Sequence, residues 1–228
     1  MALHQRQKTE GLAALERQIE SCRTCPRLVE WREQVAREKR AAFADQEYWG
    51  RPVGGFGDAG AAIYILGLAP AAHRANRTGR VFTGDRSGDW LYAALYRAGL
   101  ANRPESVWRD DGLELHGAFI GAAVRCAPPA NKPTPAERDA CLPYAQRELE
   151  LLDVRVIVCL GAFAWDAALR ITGPAPKPKP KFGHGAEHTT ADGTVLLGCF
   201  HVSQQNTFTG KLTEPMTDAV LARAIALA

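Results

Sequence analysis

Four of the six cysteines could do metal chemistry together. Cys22-Arg23-Thr24-Cys25 puts two thiolates within reach of one centre. Cys126 and Cys141, with 14 residues between them, can be brought together by a loop and one short helix. Four thiolates suit structural zinc and an iron–sulfur cluster. Spacing alone leaves both open, and no metal as well. Cys159 and Cys199 are different: each lies in an apolar run and reads as a buried, inert thiol of a strand.

The second concentration of chemistry is residues 67–85, with one Pro, one His, one Asn, three Gly and three Arg in no helical or strand period. It follows Ala61-Ala62-Ile63-Tyr64-Ile65-Leu66, a run with the length and composition of a buried strand. A polar loop leaving the carboxyl end of such a strand is where open α/β sheets hold ligands. Two further loops of this kind span 125–133 and 203–211.

The elements that must position these loops follow from the pattern. Residues 9–40 read as helical, interrupted at 21–26, where Pro26 suits the first turn of a new helix. Residues 47–60 are a Gly- and Pro-rich loop. Strands are predicted over 61–66, 118–124, 154–160 and 194–202, and residues 181–188 can pair with the last as a hairpin across Asp192-Gly193. Helices are predicted over 87–99, 134–152, 161–171 and 214–228. The second of these opens with Thr134, Pro135 and Glu137, a capping box. Residues 174–181 alternate Pro and Lys, a stiff basic connector. The expected architecture is a single domain, a three-layer α/β/α fold with a central four-stranded, mainly parallel sheet. Parallel strands would bring the three polar loops to one edge.

Composition narrows the class. At 228 residues the chain can bury one full core. No apolar run approaches the roughly 18 residues of a membrane span. The start, Met1-Ala2-Leu3-His4-Gln5-Arg6, lacks the apolar core of a signal peptide, so a cytoplasmic protein is expected and a disulfide framework is not. The net charge of +3 is too small to argue for nucleic acid by itself.

Four motifs in order carry a resemblance: Gly67-Leu68-Ala69-Pro70-Ala71-Ala72-His73, Asn76-Arg77-Thr78-Gly79-Arg80, Arg125-Cys126-Ala127-Pro128-Pro129-Ala130-Asn131-Lys132-Pro133, and His201-Val202-Ser203-Gln204-Gln205-Asn206-Thr207-Phe208-Thr209-Gly210-Lys211. With the four cysteines, they resemble family 5 of the uracil-DNA glycosylases, the UDGb branch, from the first cysteine pair to the last helix. The resemblance implies a [4Fe–4S] cluster on Cys22, Cys25, Cys126 and Cys141 that shapes a DNA-contacting surface and does no redox step. It implies excision of uracil, hypoxanthine and xanthine from double-stranded DNA, with single strands left open, as the start of base excision repair. A monomer is the simplest expectation for an enzyme that scans DNA.

The physical demands of that reaction agree. The base must leave the stack, enter a closed pocket and depart as an anion while the sugar becomes cationic. His201 is placed to donate to the developing oxyanion. The resemblance makes Phe82 the base-stacking aromatic and sets Gly67, Ala69, Pro70 and Ser203 against the base. No Asp or Glu lies between Gly67 and Phe82. Asn131, Asn76 or His73 must therefore orient the attacking water, or base expulsion must carry the reaction. A weak polar grip on one base fits a broad substrate range. Asp85 is the nearest acid, in a setting that also suits a helix cap. Arg74 stands where the resemblance leads one to expect a small residue. Arg74, Arg77 and Arg80 are expected on DNA phosphates, and Gln204, Gln205 and Asn206, with Phe208, in the minor groove. No lysine stands out as a Schiff-base nucleophile, so no lyase activity is expected. The competing readings are a non-catalytic iron–sulfur protein that binds lesions, an iron–sulfur electron carrier, and a glycosylase that stays attached to DNA through a histidine.

Overall fold

The computed structural model describes residues 2–174 and 176–228. Met1, and Ala175 within the predicted Pro–Lys connector, lie outside the described residues. The chain opens with α1 (Ala2–Glu20) and α2 (Pro26–Glu38), split where the Cys-x-x-Cys segment was expected to interrupt them. A short strand β1 (Phe56–Gly57) precedes β2 (Ile63–Gly67). The first polar loop then contains one helical turn, α3 (Ala75–Thr78), before α4 (Arg86–Arg97). There follow β3 (Ala118–Ala122), α5 (Pro135–Leu151), β4 (Val156–Leu160) and α6 (Ala162–Ile171). The chain closes with β5 (Glu187–Thr189), β6 (Val195–Cys199), α7 (Gln204–Phe208) and α8 (Glu214–Leu227). The α5 capping box is formed: Thr134 Oγ1 accepts from the Glu137 N–H, and Glu137 Oε2 from the Thr134 N–H.

The sheet has six strands in the order β1-β3-β2-β4-β6-β5. The four predicted strands form its parallel centre. Both edges are antiparallel additions: β1 pairs with β3, and β5 with β6. The second is the predicted hairpin, confined to residues 187–189. The first falls in the Gly-rich segment read as loop, since two residues carry no periodic signal.

Alternate strand residues feed two cores. Ile63, Ile65, Val156 and Val158 pack with Leu91, Leu95, Val220 and Leu221 of α4 and α8. Tyr64, Leu66, Ile157 and Cys159 pack with Leu142, Ala145, Trp165 and Leu169 of α5 and α6 on the other face. That is the three-layer arrangement. From β2 the chain crosses to β3 on one side, and β4 returns to the other side of β2 and continues outward to β6. Such a reversal opens a crevice at the carboxyl ends of the strands.

No helix among the described residues is long and apolar enough to cross a membrane.

Candidate active site

A cavity of about 500 Å³ lies at this crevice, within the range of small-molecule sites. Its walls come from all three polar loops. Gly67, Ala69, Pro70, His73, Arg74 and Phe82 come from the first, Asn131 from the second, and His201, Ser203, Gln204 and Gln205 from the third.

Phe82 sets one wall. Its backbone is left-handed, φ 52°, a costly conformation for a bulky residue. This turns the ring back over the end of β2, and Gly67 makes room: a Cβ there would stand 2.8 Å from Phe82 Cζ. Gly88, in the first turn of α4, is needed for the same reason, since its Cβ would lie 1.7 Å from the Phe82 carbonyl oxygen.

His201 sits two residues beyond β6, with its ring centroid 6.2 Å from that of Phe82 and the planes tilted by 39°. Its carbonyl accepts from Asn206 Nδ2 at 2.8 Å, which holds the strand end against α7. Its Nδ1 is buried with no partner among the described residues. Burial pushes the imidazole below its ordinary range, and the Asp85 carboxylate pulls weakly the other way. His201 is therefore a neutral imidazole near neutral pH. Ser203 precedes α7 without capping it, so its hydroxyl makes no side-chain cap bond.

His73 lines the cavity with its Nδ1 3.1 Å from the Tyr48 hydroxyl. Burial and the charges of Arg40 and Arg77 hold it below the usual imidazole range. Asn131 reaches the cavity from a 3-10 turn in which both it and Ala130 have positive φ.

The structure separates other predicted residues from the cavity. Asn76 is fully buried beneath α2, where its Nδ2 donates to the Arg32 carbonyl at 3.2 Å. It braces the loop through Nδ2, while its Oδ1 is buried with no partner among the described residues. Arg77 and Arg80, expected on phosphates, turn inward. Arg77 is bound to Gln46 Oε1 at 2.6 Å and to the His73 carbonyl at 3.1 Å. Arg80 pairs with Asp111 Oδ2 at 2.6 Å and donates to Ser106 Oγ at 2.7 Å. A long loop must satisfy its own buried polar groups, and these two guanidiniums do so. Asn206 spends its amide on His201. Arg74 remains at the surface of the cavity, paired with Asp85. Asp85 itself is both the helix cap and a cavity wall: its Oδ1 accepts from the Gly88 N–H at 2.7 Å.

Cys22, Cys25, Cys126 and Cys141 line one small cavity beside α2 and α5. None is in a disulfide. Arg32 Nη1 lies 2.9 Å from Cys126 Sγ, and its Nη2 donates to the Cys22 carbonyl at 3.0 Å. The Arg125 N–H donates to Cys141 Sγ at 3.2 Å. Burial pushes the Cys126 thiol up to about 11 and that of Cys141 to about 12. No group of three or more His, Cys, Asp or Glu among the described residues is grouped as for a single metal ion. Ala69 packs against Cys126 and Cys141 while also lining the larger cavity, so the two share a wall. Cys159 and Cys199 are buried in β4 and β6.

Sequence reading missed a groove of about 620 Å³ between α1, α2 and residues 48–51. Arg17, Arg23, Arg37 and Arg51 line it as exposed side chains. Of these, Arg23 is paired with Glu33 and Arg51 lies over the Trp49 ring. These arginines come from separate elements, and only folding gathers them.

Fold and site together define an α/β protein with a partly enclosed cavity at the carboxyl edge of its sheet, walled by an aromatic ring and an imidazole. A family model described as the uracil DNA glycosylase superfamily matches residues 55–224. A type-5 uracil-DNA glycosylase of Mycobacterium bovis is 59% identical over 212 residues, 92% of this chain and 79% of the relative. Those of Thermus thermophilus and Pyrobaculum aerophilum are 53% and 45% identical, covering 92% and 90% of this chain and 95% and 88% of theirs. The chain belongs to the uracil-DNA glycosylase superfamily and, within it, to the type-5 uracil-DNA glycosylases.

Proposed function

We propose that this chain is a monofunctional DNA glycosylase that draws uracil, hypoxanthine or xanthine out of double-stranded DNA and hydrolyses its N-glycosidic bond. The observation that carries the reading is the placement of the Phe82 ring and the His201 imidazole side by side on the wall of one cavity. The flipped base stacks on Phe82 over Gly67, which has no side chain to hinder it. His201, neutral, donates to the base oxygen as charge develops there. The bond from C1′ to the base nitrogen breaks with its electron pair going to the base. Water then adds its oxygen to C1′ and gives up a proton, which the departing base anion takes. Asn131 and His73, whose side chains line the cavity, orient that water. Among the described residues no lysine lines the cavity, which supports hydrolysis without strand cleavage.

The breadth of substrate rests on Ala69. A methyl group stands where a polar side chain would select one base, and the backbone and Ser203 supply the remaining contacts. The groove arginines Arg17, Arg37 and Arg51 take the place of Arg77 and Arg80 as phosphate contacts.

The four thiols around one cavity support a [4Fe–4S] cluster. A cluster binds its thiolates on separate irons, and so farther apart than one zinc does. Iron would replace the thiol protons that burial now retains. Arg32 and the Arg125 N–H would then donate to cluster sulfur. The cluster supplies structure and charge beside Ala69, and the residues of the cavity carry the reaction.

The test is excision on end-labelled duplexes carrying one uracil, hypoxanthine or xanthine, followed by alkali, with His201→Ala alongside. Alkali-dependent nicking of all three, lost in the variant, is the expected result. Tight lesion binding without nicking would instead identify a non-catalytic reader of damage.

A further inference from the structure

Asp85 is the only acidic side chain on the wall of the base cavity among the described residues. Both of its oxygens are engaged. Oδ1 caps α4 through the Gly88 N–H at 2.7 Å, and Oδ2 pairs with Arg74 Nη1. These two contacts fix the carboxylate in place on the cavity wall. The pair also ties the middle of the first loop to its end, since Arg74 directly precedes α3 and Asp85 directly precedes α4.

On the glycosylase reading given above, the electron pair of the broken bond leaves with the base. An unpaired carboxylate in the same cavity would repel that anion, and more strongly than in water because the site is partly enclosed. We propose that Arg74 is a positioning residue that neutralises Asp85, so that the departing base faces a wall without net negative charge. The same pairing shields His201. The charged and titratable groups on the cavity wall are Arg40, His73, Arg74 and Asp85. Of these, Asp85 is the one that acts on the His201 ring. Gly161 and Asn206, which also adjoin His201, carry no charge.

The experiment is single-turnover uracil excision by the purified full chain at saturating enzyme, across a pH series. It compares Arg74→Ala, Arg74→Lys, Asp85→Asn and the Arg74→Ala/Asp85→Asn double variant. Asparagine retains a capping oxygen for α4. Arg74→Ala is expected to slow excision about tenfold and to move the pH dependence belonging to His201 upward. Arg74→Lys should restore most of the rate, and Arg74→Ala should add nothing in the Asp85→Asn background. Independent, multiplying effects of the two substitutions would overturn the proposal. So would a variant that loses only affinity, equally for damaged and undamaged duplex, with a shallower salt dependence and an unmoved pH profile. Arg74 would then be a phosphate contact. If the parent chain excises nothing, the glycosylase reading has failed, and the pairing is read instead by NMR titration of the His201 imidazole. Its midpoint rises in Arg74→Ala if Arg74 shields it, and stays in place if it does not.

Discussion

The rings of Phe82 and His201 lie 6.2 Å apart and tilted by 39°, although they come from opposite ends of the sheet's sequence. Phe82 reaches that place through a left-handed backbone over Gly67, and His201 through the end of β6. The slot depends on a glycine having no Cβ as much as on the two rings.

Gly67→Ala tests that dependence. The added methyl, 2.8 Å from Phe82 Cζ, displaces the ring. Displacement of a positioning group by about 1 Å can cost two orders of magnitude. Single-turnover excision should fall at least about tenfold, while overpacking costs about 1–3 kcal/mol of stability by denaturant unfolding. An unchanged rate would show that the ring is not a platform for the base.

Arg80→Ala separates brace from phosphate contact. Arg80 is buried and bonded to Thr83, Ser106 and Asp111, and removing its guanidinium breaks all three contacts, while Asp111 keeps the N–H groups of Val107, Trp108 and Leu113. The expected loss is about 2 kcal/mol of unfolding free energy, with the salt dependence of DNA affinity unchanged. A shallower salt slope at normal stability would return Arg80 to the DNA interface.

The groove arginines should behave oppositely. Arg37→Ala and Arg51→Ala are expected to weaken binding to lesion-bearing and plain duplexes alike. Each lost phosphate contact lowers the slope of log K against log salt by about 1. Thermal stability should hold, since both side chains are exposed.

Acid should destabilise the fold before its carboxylates protonate. His73, His184 and His201 are all held below the usual imidazole range, chiefly by burial. The unfolded chain takes up protons near pH ~6.5 that the folded chain refuses. Unfolding therefore gains protons, and stability falls as pH drops below that value. The transition temperature should decline between about pH 7 and pH 5, and less steeply in His201→Asn. An identical decline in that variant would remove His201 from the account.

Serine at Cys22, Cys25, Cys126 or Cys141 should abolish bound iron and acid-labile sulfide in anaerobically purified protein. Cys159→Ser should retain both, because that thiol lies buried in β4 away from the four. Zinc in place of iron in the parent chain would overturn the cluster assignment.

The sequence by itself determined the layered architecture and most of the cavity. Buried parallel strands are continuous apolar runs, so β2, β3, β4 and β6 announce themselves, as do the polar loops that leave them. Parallel strands must deliver those loops to one edge, and His201, Phe82, Asn131 and Ser203 meet there. Short range also fixed the α5 cap and the break at Cys22 to Cys25. Only the tertiary structure decided which way a polar side chain faces. Arg74, Arg77 and Arg80 share one loop and one chemistry, yet two are buried braces and one lies at the cavity. Asn76 faces α2, and β1 exists only because β3 offers it an edge. The groove arginines become neighbours through the packing of α1, α2 and the segment after them. Periodicity encodes what an element buries along its own axis. The direction of a loop side chain is set by partners distant in sequence, and local pattern carries no record of them.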